Sequence, residues 1–195
     1  LFRSGLIGCG GMGRGNLRNC ARHDDVVVAG VCDVWKPRLD ATLEKYKETA
    51  KGYTDYRELL DRDDIDGVII GTPPHWHALQ SIQAAEAKKD FYVQKPMTIY
   101  VDESLAIERA VAKHGVVTQV GTQIHAGNNY RRVVEWVRSG RLGQIGVVRS
   151  LLTGNQGIEG IGDPPNTEPP KEIDWEMWVG PAPMREFNPL IVQGA

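Results

Sequence analysis

The chain has 195 residues, 41% of them hydrophobic, and a formal net charge of −2. That is enough apolar material for the core of a soluble globular domain. The charge argues against a nucleic-acid partner held by electrostatics, and no apolar run approaches the ~20 residues that cross a membrane. The three cysteines, Cys9, Cys20 and Cys32, are odd in number, lack zinc spacing and read as reduced thiols. No signal peptide is visible, which gives a cytoplasmic reading. The start at Leu1 also fits a chain whose export signal has been removed, and both stay open.

In chain order, the first informative segment is Gly8-Cys9-Gly10-Gly11-Met12-Gly13, after the apolar pair Leu6-Ile7 and at the head of a helical stretch near 11–22. This is the G-x-G-x-x-G spacing of a dinucleotide-binding turn. Gly8 turns the chain out of a strand, Gly10 admits a pyrophosphate close to the backbone, and Gly13 lets helix and sheet pack. Helix N–H groups and the helix dipole then face the phosphates. The next apolar run, residues 26–32, ends at Asp33, 20 residues after Gly13. A carboxylate there accepts both adenosine ribose hydroxyls and repels a 2′-phosphate, so NAD is expected over NADP, with Lys36 and Arg38 nearby as the opposing signal. Asp33 also reads as a cap or turn residue before a helix at 38–49.

The apolar runs Asp66–Gly71, Phe91–Val93 and Val116–Val120 look like strands buried on both faces. Helical stretches near 56–61, 75–88, 102–114 and 128–139 alternate with them. The pattern predicts an α/β fold with a doubly wound parallel sheet. Ligands of such sheets lie beyond the carboxyl ends of the strands. Gly8–Gly13, Asp33, Gly71–His77, Gln94–Pro96 and Gly121–Gln123 all fall at predicted strand ends. His75 and His77 sit at a helix start after Pro73-Pro74, where the dipole favours a neutral ring. Their spacing is not that of a metal pair, and no metal site is expected. His125 is a further candidate for substrate contact.

Past residue 120 the pattern is less regular. Tyr130, Val133, Val134 and Val137 fall on one helical side. Residues 145–152 read as a strand opening a second sheet. Residues 154–183, with Pro164-Pro165 and Pro169-Pro170, read as an extended loop. Trp175 and Trp178 are expected to dock that loop on the body; the alternative is a sugar-stacking platform.

Taken together, Gly8–Gly13, Thr72-Pro73 followed by His77, Lys95-Pro96, Val120-Gly121-Thr122-Gln123 and the tail Asp174–Pro183 resemble the Gfo/Idh/MocA oxidoreductase family. The resemblance implies a Rossmann domain over 1–122 and a second α/β domain, begun but not finished over 123–195. It implies a nicotinamide-dependent oxidoreductase acting on a hydroxyl of a sugar, inositol or related polyol. Lys95 would contact the reacting hydroxyl, and His77 would lie toward the nicotinamide as a second catalytic residue. Gly8, Gly10, Gly11, Met12, Gly13, Asp33, Thr72, Pro73, His75, Gln94 and Gln123 would contact the cofactor. Relatives associate through the second-domain sheet, so a homo-oligomer is expected of the full-length protein.

One position departs from the family pattern: Gln94 precedes Lys95-Pro96 where the family usually carries Glu. Gln still hydrogen-bonds ribose or amide groups, but it removes an adjacent charge that favours the charged lysine. The family's second-domain Asp and His would lie beyond residue 195, so this chain is expected to bind cofactor and to catalyse poorly. Two alternatives remain: an NAD-dependent glycoside hydrolase of the same family, and a non-catalytic dinucleotide-binding module.

Overall fold

The computed structural model describes residues 1–123, 127–151, 154, 160 and 162–193. Two compact units emerge, Leu1–Gly121 with Pro165–Ala195, and Thr122–Pro164. The first stretch of the first unit ends at Gly121, against 122 in the sequence reading. The last thirty residues, expected with the second domain, pack instead with the first.

Six strands form one parallel sheet: β1 (Phe2–Ile7), β2 (Val26–Cys32), β3 (Lys51–Tyr53), β4 (Gly67–Ile70), β5 (Asp90–Gln94) and β6 (Thr118–Gly121). Their spatial order is β3-β2-β1-β4-β5-β6, with register set by pairs such as Ile7↔Cys32, Ile7↔Ile70 and Val93↔Val120. The chain therefore winds outward from β1 in one direction, returns to β4 and winds out in the other. That reversal opens a crevice at the carboxyl ends of β1 and β4.

Helices cover both faces, as the continuous apolar strands require. On one face α1 (Gly11–Cys20) and α2 (Lys36–Leu43) bury Leu17 and Leu39 against Leu6, Val28, Val31 and Ile69. On the other, α3 (Tyr56–Leu60), α4 (Pro74–Glu86) and α5 (Val101–His114) bury Leu59, Trp76, Ala84 and Ile107 against Ile7, Val68, Ile70 and Val93. Pro74 opens α4, where its missing N–H costs nothing, and Gly115 closes α5 in the left-handed region at φ 70°. The predicted helix over 38–49 starts earlier and stops at Leu43, because Lys45–Thr49 turn to deliver Ala50 into the core beside β3.

The terminal segment of the first unit holds α7 (Trp175–Val179), capped by Asp174, whose carboxylate accepts the Met177 N–H at 2.9 Å, and α8 (Pro189–Gln193). The expected extended loop over 154–183 thus contains a helical turn. Trp175 and Trp178 stack with centroids 4.8 Å apart and join a small core of Ile173, Phe187 and Val192.

In the second unit, α6 (Asn128–Arg138) ends at Ser139, and Tyr130, Val133, Val134 and Val137 are exposed. The strand predicted over 145–152 is absent at 145–151, where no ladder partner exists among the described residues and Val148 and Leu151 are exposed. An isolated apolar run has no ladder to satisfy its backbone. Position 152 and His125 lie outside the described residues.

Candidate functional site

Three glycines build the floor of the crevice. Gly8 has φ +92°, and a Cβ there would stand 2.7 Å from the Gly71 and Thr72 backbone. A Cβ on Gly13 would collide with the Gly8 carbonyl, and one on Gly71 would stand 2.7 Å from the Gly13 Cα. The ends of β1 and β4 and the first turn of α1 are thus in backbone contact, which only glycine permits. Gly10 is the N-cap of α1 and supplies no side-chain cap. The first N–H groups of that helix are left for a ligand.

Asp33, at the end of β2, holds the turn in place. Its two carboxylate oxygens accept the Cys9 N–H at 2.6 Å and the Trp35 N–H at 2.8 Å. Burial pushes the Asp33 carboxyl above the usual carboxylate range, opposed by these two N–H groups and by Arg38 and Arg14. Asp33 thus stands at the crevice and closes the turn ahead of α2, whose N-cap is Trp35. Cys9 is buried in the same turn, and burial pushes its thiol up to about 12, so it is inert as a nucleophile.

The crevice has a volume of about 630 Å³, within the ordinary range for small-molecule sites. Gly8, Gly10, Gly11 and Met12 line it from the glycine turn, and Asp33 and Val34 from the end of β2. Thr72, Pro73 and Trp76 line it after β4, and Gln94 and Lys95 after β5. Gly13, packed on Gly8 and Gly71, is not itself a lining residue. Gln94 accepts the Lys95 N–H at 2.8 Å through Oε1, while its Nε2 is buried with no partner. A buried orphan donor on a cleft wall is a ligand contact in waiting. None of the ion pairs among the described residues includes Lys95, which stands exposed at the rim.

His77 departs from its expected place. It is 1% exposed and is not among the residues lining the crevice. Its Nδ1 faces the Pro96 carbonyl at 2.7 Å and its Nε2 faces the Thr72 carbonyl at 2.8 Å. The ring fastens the loop after β4 to the loop after β5. Burial lowers its pKa, with the two carbonyls working in the opposite direction. His75 also turns from the crevice, with Nε2 3.0 Å from the Trp178 carbonyl. Gln123 is exposed and belongs to the second unit. Among the described residues no group of three or more His, Cys, Asp or Glu is placed to hold a metal ion. No described helix is long and apolar enough to cross a membrane.

Sequence reasoning did not place Arg14, Tyr56, Met177 and Ile191 on the crevice wall; it weighed Arg38 only as a signal for NADP, and Trp178 as a docking residue or a sugar-stacking platform. The one local signal for the last group was Trp175-x-x-Trp178 followed by Gly180-Pro181, the spacing of a short helix and its end.

A parallel sheet with its switch point at β1 and β4, a three-glycine floor, an uncapped helix start and a carboxylate after the second strand define a dinucleotide-binding Rossmann domain. The residues fit an NAD(P) cofactor: the glycine cradle leaves room for phosphates, and Gln94 offers an unused donor. The chain belongs to the Gfo/Idh/MocA family of oxidoreductases, whose NAD-binding Rossmann-fold profile matches residues 2–122.

Three curated relatives are similar to it. An uncharacterized oxidoreductase, YrbE of Bacillus subtilis, is 31% identical over 140 residues, covering 72% of this chain and 41% of the relative. An inositol 2-dehydrogenase of Salmonella paratyphi B is 31% identical, covering 73% and 43%. A glycosyl hydrolase family 109 protein of Shewanella pealeana is 30% identical, covering 73% and 33%. The matched part is less than half of each relative. Among solved structures, the WlbA dehydrogenase of Bordetella pertussis in complex with NADH and UDP-GlcNAcA superposes with a TM-score of 0.67 at 24% identity, covering 73% of this chain and 43% of that one.

Proposed function

We propose that the protein is a nicotinamide-dependent oxidoreductase acting on a hydroxyl of a sugar, inositol or related polyol, with NAD preferred over NADP. The observation that carries this reading is the meeting of Asp33, the glycine floor, Gln94 and Lys95 on one crevice. The family membership and the inositol dehydrogenase relative support the reaction class.

A bound nicotinamide supplies the hydride acceptor or donor. The chain's own residues bind and orient it. Asp33 accepts the adenosine ribose hydroxyls, the first turn of α1 receives the pyrophosphate, and Thr72 and Pro73 flank it. Gln94 donates its free Nε2 hydrogen to the cofactor or substrate. Lys95 hydrogen-bonds the reacting hydroxyl and stabilises the developing alkoxide. His77 acts as a positioning residue, because its ring fixes the Pro96 carbonyl one residue from Lys95. The protein is further proposed to assemble as a homo-oligomer.

A second reading is an NAD-dependent glycoside hydrolase that keeps its cofactor between turnovers. It is favoured by the glycosyl hydrolase family 109 relative and by the segment 172–192, which crosses the crevice wall.

The test is titration of the chain with NAD(H) and NADP(H), with Asp33→Ala as control, followed by polyols and glycosides offered to the longest available form. Selective NAD(H) binding that is lost in Asp33→Ala supports the reading. Accumulation of free NADH with polyols separates the dehydrogenase from the hydrolase. Absence of any dinucleotide binding overturns both.

A further inference from the structure

The segment 172–192 lies outside the stretch that matches the family's Rossmann profile, yet it is bolted to the crevice at several points. Trp35 and Ile173 form an antiparallel bridge, flanked by Lys36 N–H to Glu172 C=O and Asp174 N–H to Val34 C=O, both 2.9 Å. The Trp76 indole N–H reaches the Met177 and Trp178 carbonyls, both at 3.1 Å. The Arg38 guanidinium donates to the Val192 carbonyl at 2.8 Å while stacking 4.4 Å over the Trp35 ring. Gly180, at φ +53°, lies so close to the Trp76 indole that a Cβ there would overlap it.

These contacts share a chemistry. The body mostly supplies donors, and the segment answers with backbone carbonyls. Its side chains pack on the body as well, Met177 on the core that holds Trp76 and Trp178 on the small core beside Trp35, and Met177, Trp178 and Ile191 line the crevice. They do so on the side bounded by Val34, Arg38, Thr54 and Tyr56, which follow β2 and β3. In a doubly wound sheet that is the adenosine side. An apolar and aromatic wall there matches the flat face of a purine.

We infer that the segment 172–192 is part of the cofactor site: Met177, Trp178 and Ile191 cover the adenosine half of the dinucleotide and set how slowly it leaves. The inference rests on the dinucleotide reading of the crevice. It assigns Met177 and Ile191 as cofactor-positioning residues and Gly180 as the position that lets the segment seat on Trp76. Release of the cofactor then requires the segment to lift, and slow release follows from the number of bonds that hold it.

The experiment is stopped-flow release of NADH from the 195-residue chain, read by nicotinamide fluorescence, alongside binding of ADP-ribose and of nicotinamide mononucleotide. Met177→Ala and Ile191→Ala trim crevice-lining side chains and keep the backbone bonds that seat the segment, the Met177 carbonyl to Trp76 and the Val192 carbonyl to Arg38. Each is expected to speed NADH release at least tenfold and to weaken ADP-ribose, with nicotinamide mononucleotide unchanged. Gly180→Ala, which unseats the segment, is expected to speed release further; if it fails to fold, the first two variants still decide. Unchanged release in both Met177→Ala and Ile191→Ala overturns the role of the segment while leaving the cofactor reading intact. Equal weakening of ADP-ribose and nicotinamide mononucleotide overturns the adenosine assignment. A wild-type chain that binds none of the three probes overturns the cofactor reading and this inference with it.

Discussion

Asp33 accepts the Cys9 N–H through Oδ2 at 2.6 Å, so the acidic end of one strand fixes the middle of the glycine turn that follows its neighbour. The same carboxylate faces the crevice, and structure and binding are coupled through it. Asp33→Ala leaves the Cys9 and Trp35 N–H groups without their acceptor, at a cost of about 1–3 kcal/mol in stability. It also removes the proposed ribose contact. Because burial holds the Asp33 carboxyl above its usual range, NAD(H) affinity of the wild type is expected to decline on acidification before an ordinary carboxylate would titrate. A binding titration across pH, with Asp33→Ala flat over the same interval, checks this.

Gly13 and Gly11 stand two residues apart in the same turn with opposite tolerances. A Cβ on Gly13 meets the Gly8 carbonyl and stands 3.3 Å from Leu6, whereas one on Gly11 meets nothing within 4 Å. Gly13→Ala is expected to destabilise by about 1–3 kcal/mol through overpacking. Gly11→Ala is expected to hold or raise the melting temperature, since Ala is worth up to about 1 kcal/mol over Gly within a helix. Thermal unfolding of the pair discriminates; equal losses in both would count against the packed-floor geometry.

His77 joins two loops through the Thr72 and Pro96 carbonyls. The neutral ring donates one N–H, so His77→Ala strands one buried acceptor, leaves a cavity between the loops and is expected to cost about 2–3 kcal/mol. The pH dependence follows from the lowered pKa. The folded protein binds this proton less readily than the unfolded chain. The contribution is therefore complete above the unfolded value near 6.5 and is lost as pH falls through the folded value. Melting curves from pH 8 downward should show that loss in the wild type and not in His77→Ala.

Arg3 and Asp66 pair at the amino ends of β1 and β4, the opposite end of the strands from the crevice. Asp66 accepts the Arg3 backbone N–H at 2.6 Å and its guanidinium at 2.7 Å, which holds the Asp66 carboxyl down to about 2. A depressed carboxyl contributes stability above its unfolded value of 3.8 and loses it as pH falls toward 2. Arg3→Ala, which keeps the backbone N–H bond, is expected to reduce that acid sensitivity and to leave dinucleotide affinity unchanged, measured on the same preparation.

Lys95 and Gln94 separate binding from chemistry. On the proposed reading, Lys95→Ala is expected to lower kcat by about 10²-fold or more with cofactor affinity retained. Gln94→Glu restores a charge beside Lys95 and spends the free Nε2 donor. Its pH–rate profile is expected to move relative to wild type, and a superimposable profile would sink the idea that Gln94 tunes this lysine.

The sequence by itself determined the sheet and most of the crevice. Four-residue apolar runs such as 67–70 and the glycine spacing of 8–13 encode strand and turn through local sterics, and loops at strand carboxyl ends converge whatever else the chain does. β3 escaped notice because Lys51-Gly52-Tyr53 carries no apolar run; it is a strand only because β2 offers it a ladder. Residues 145–151 show the converse, an apolar run that has no ladder partner among the described residues and is no strand. The tertiary structure alone decided that His77 is sealed between two carbonyls and that Trp178 reaches a crevice wall more than a hundred residues upstream. Such contacts depend on which surfaces the fold brings face to face, and neither propensity nor periodicity in one short stretch carries that information.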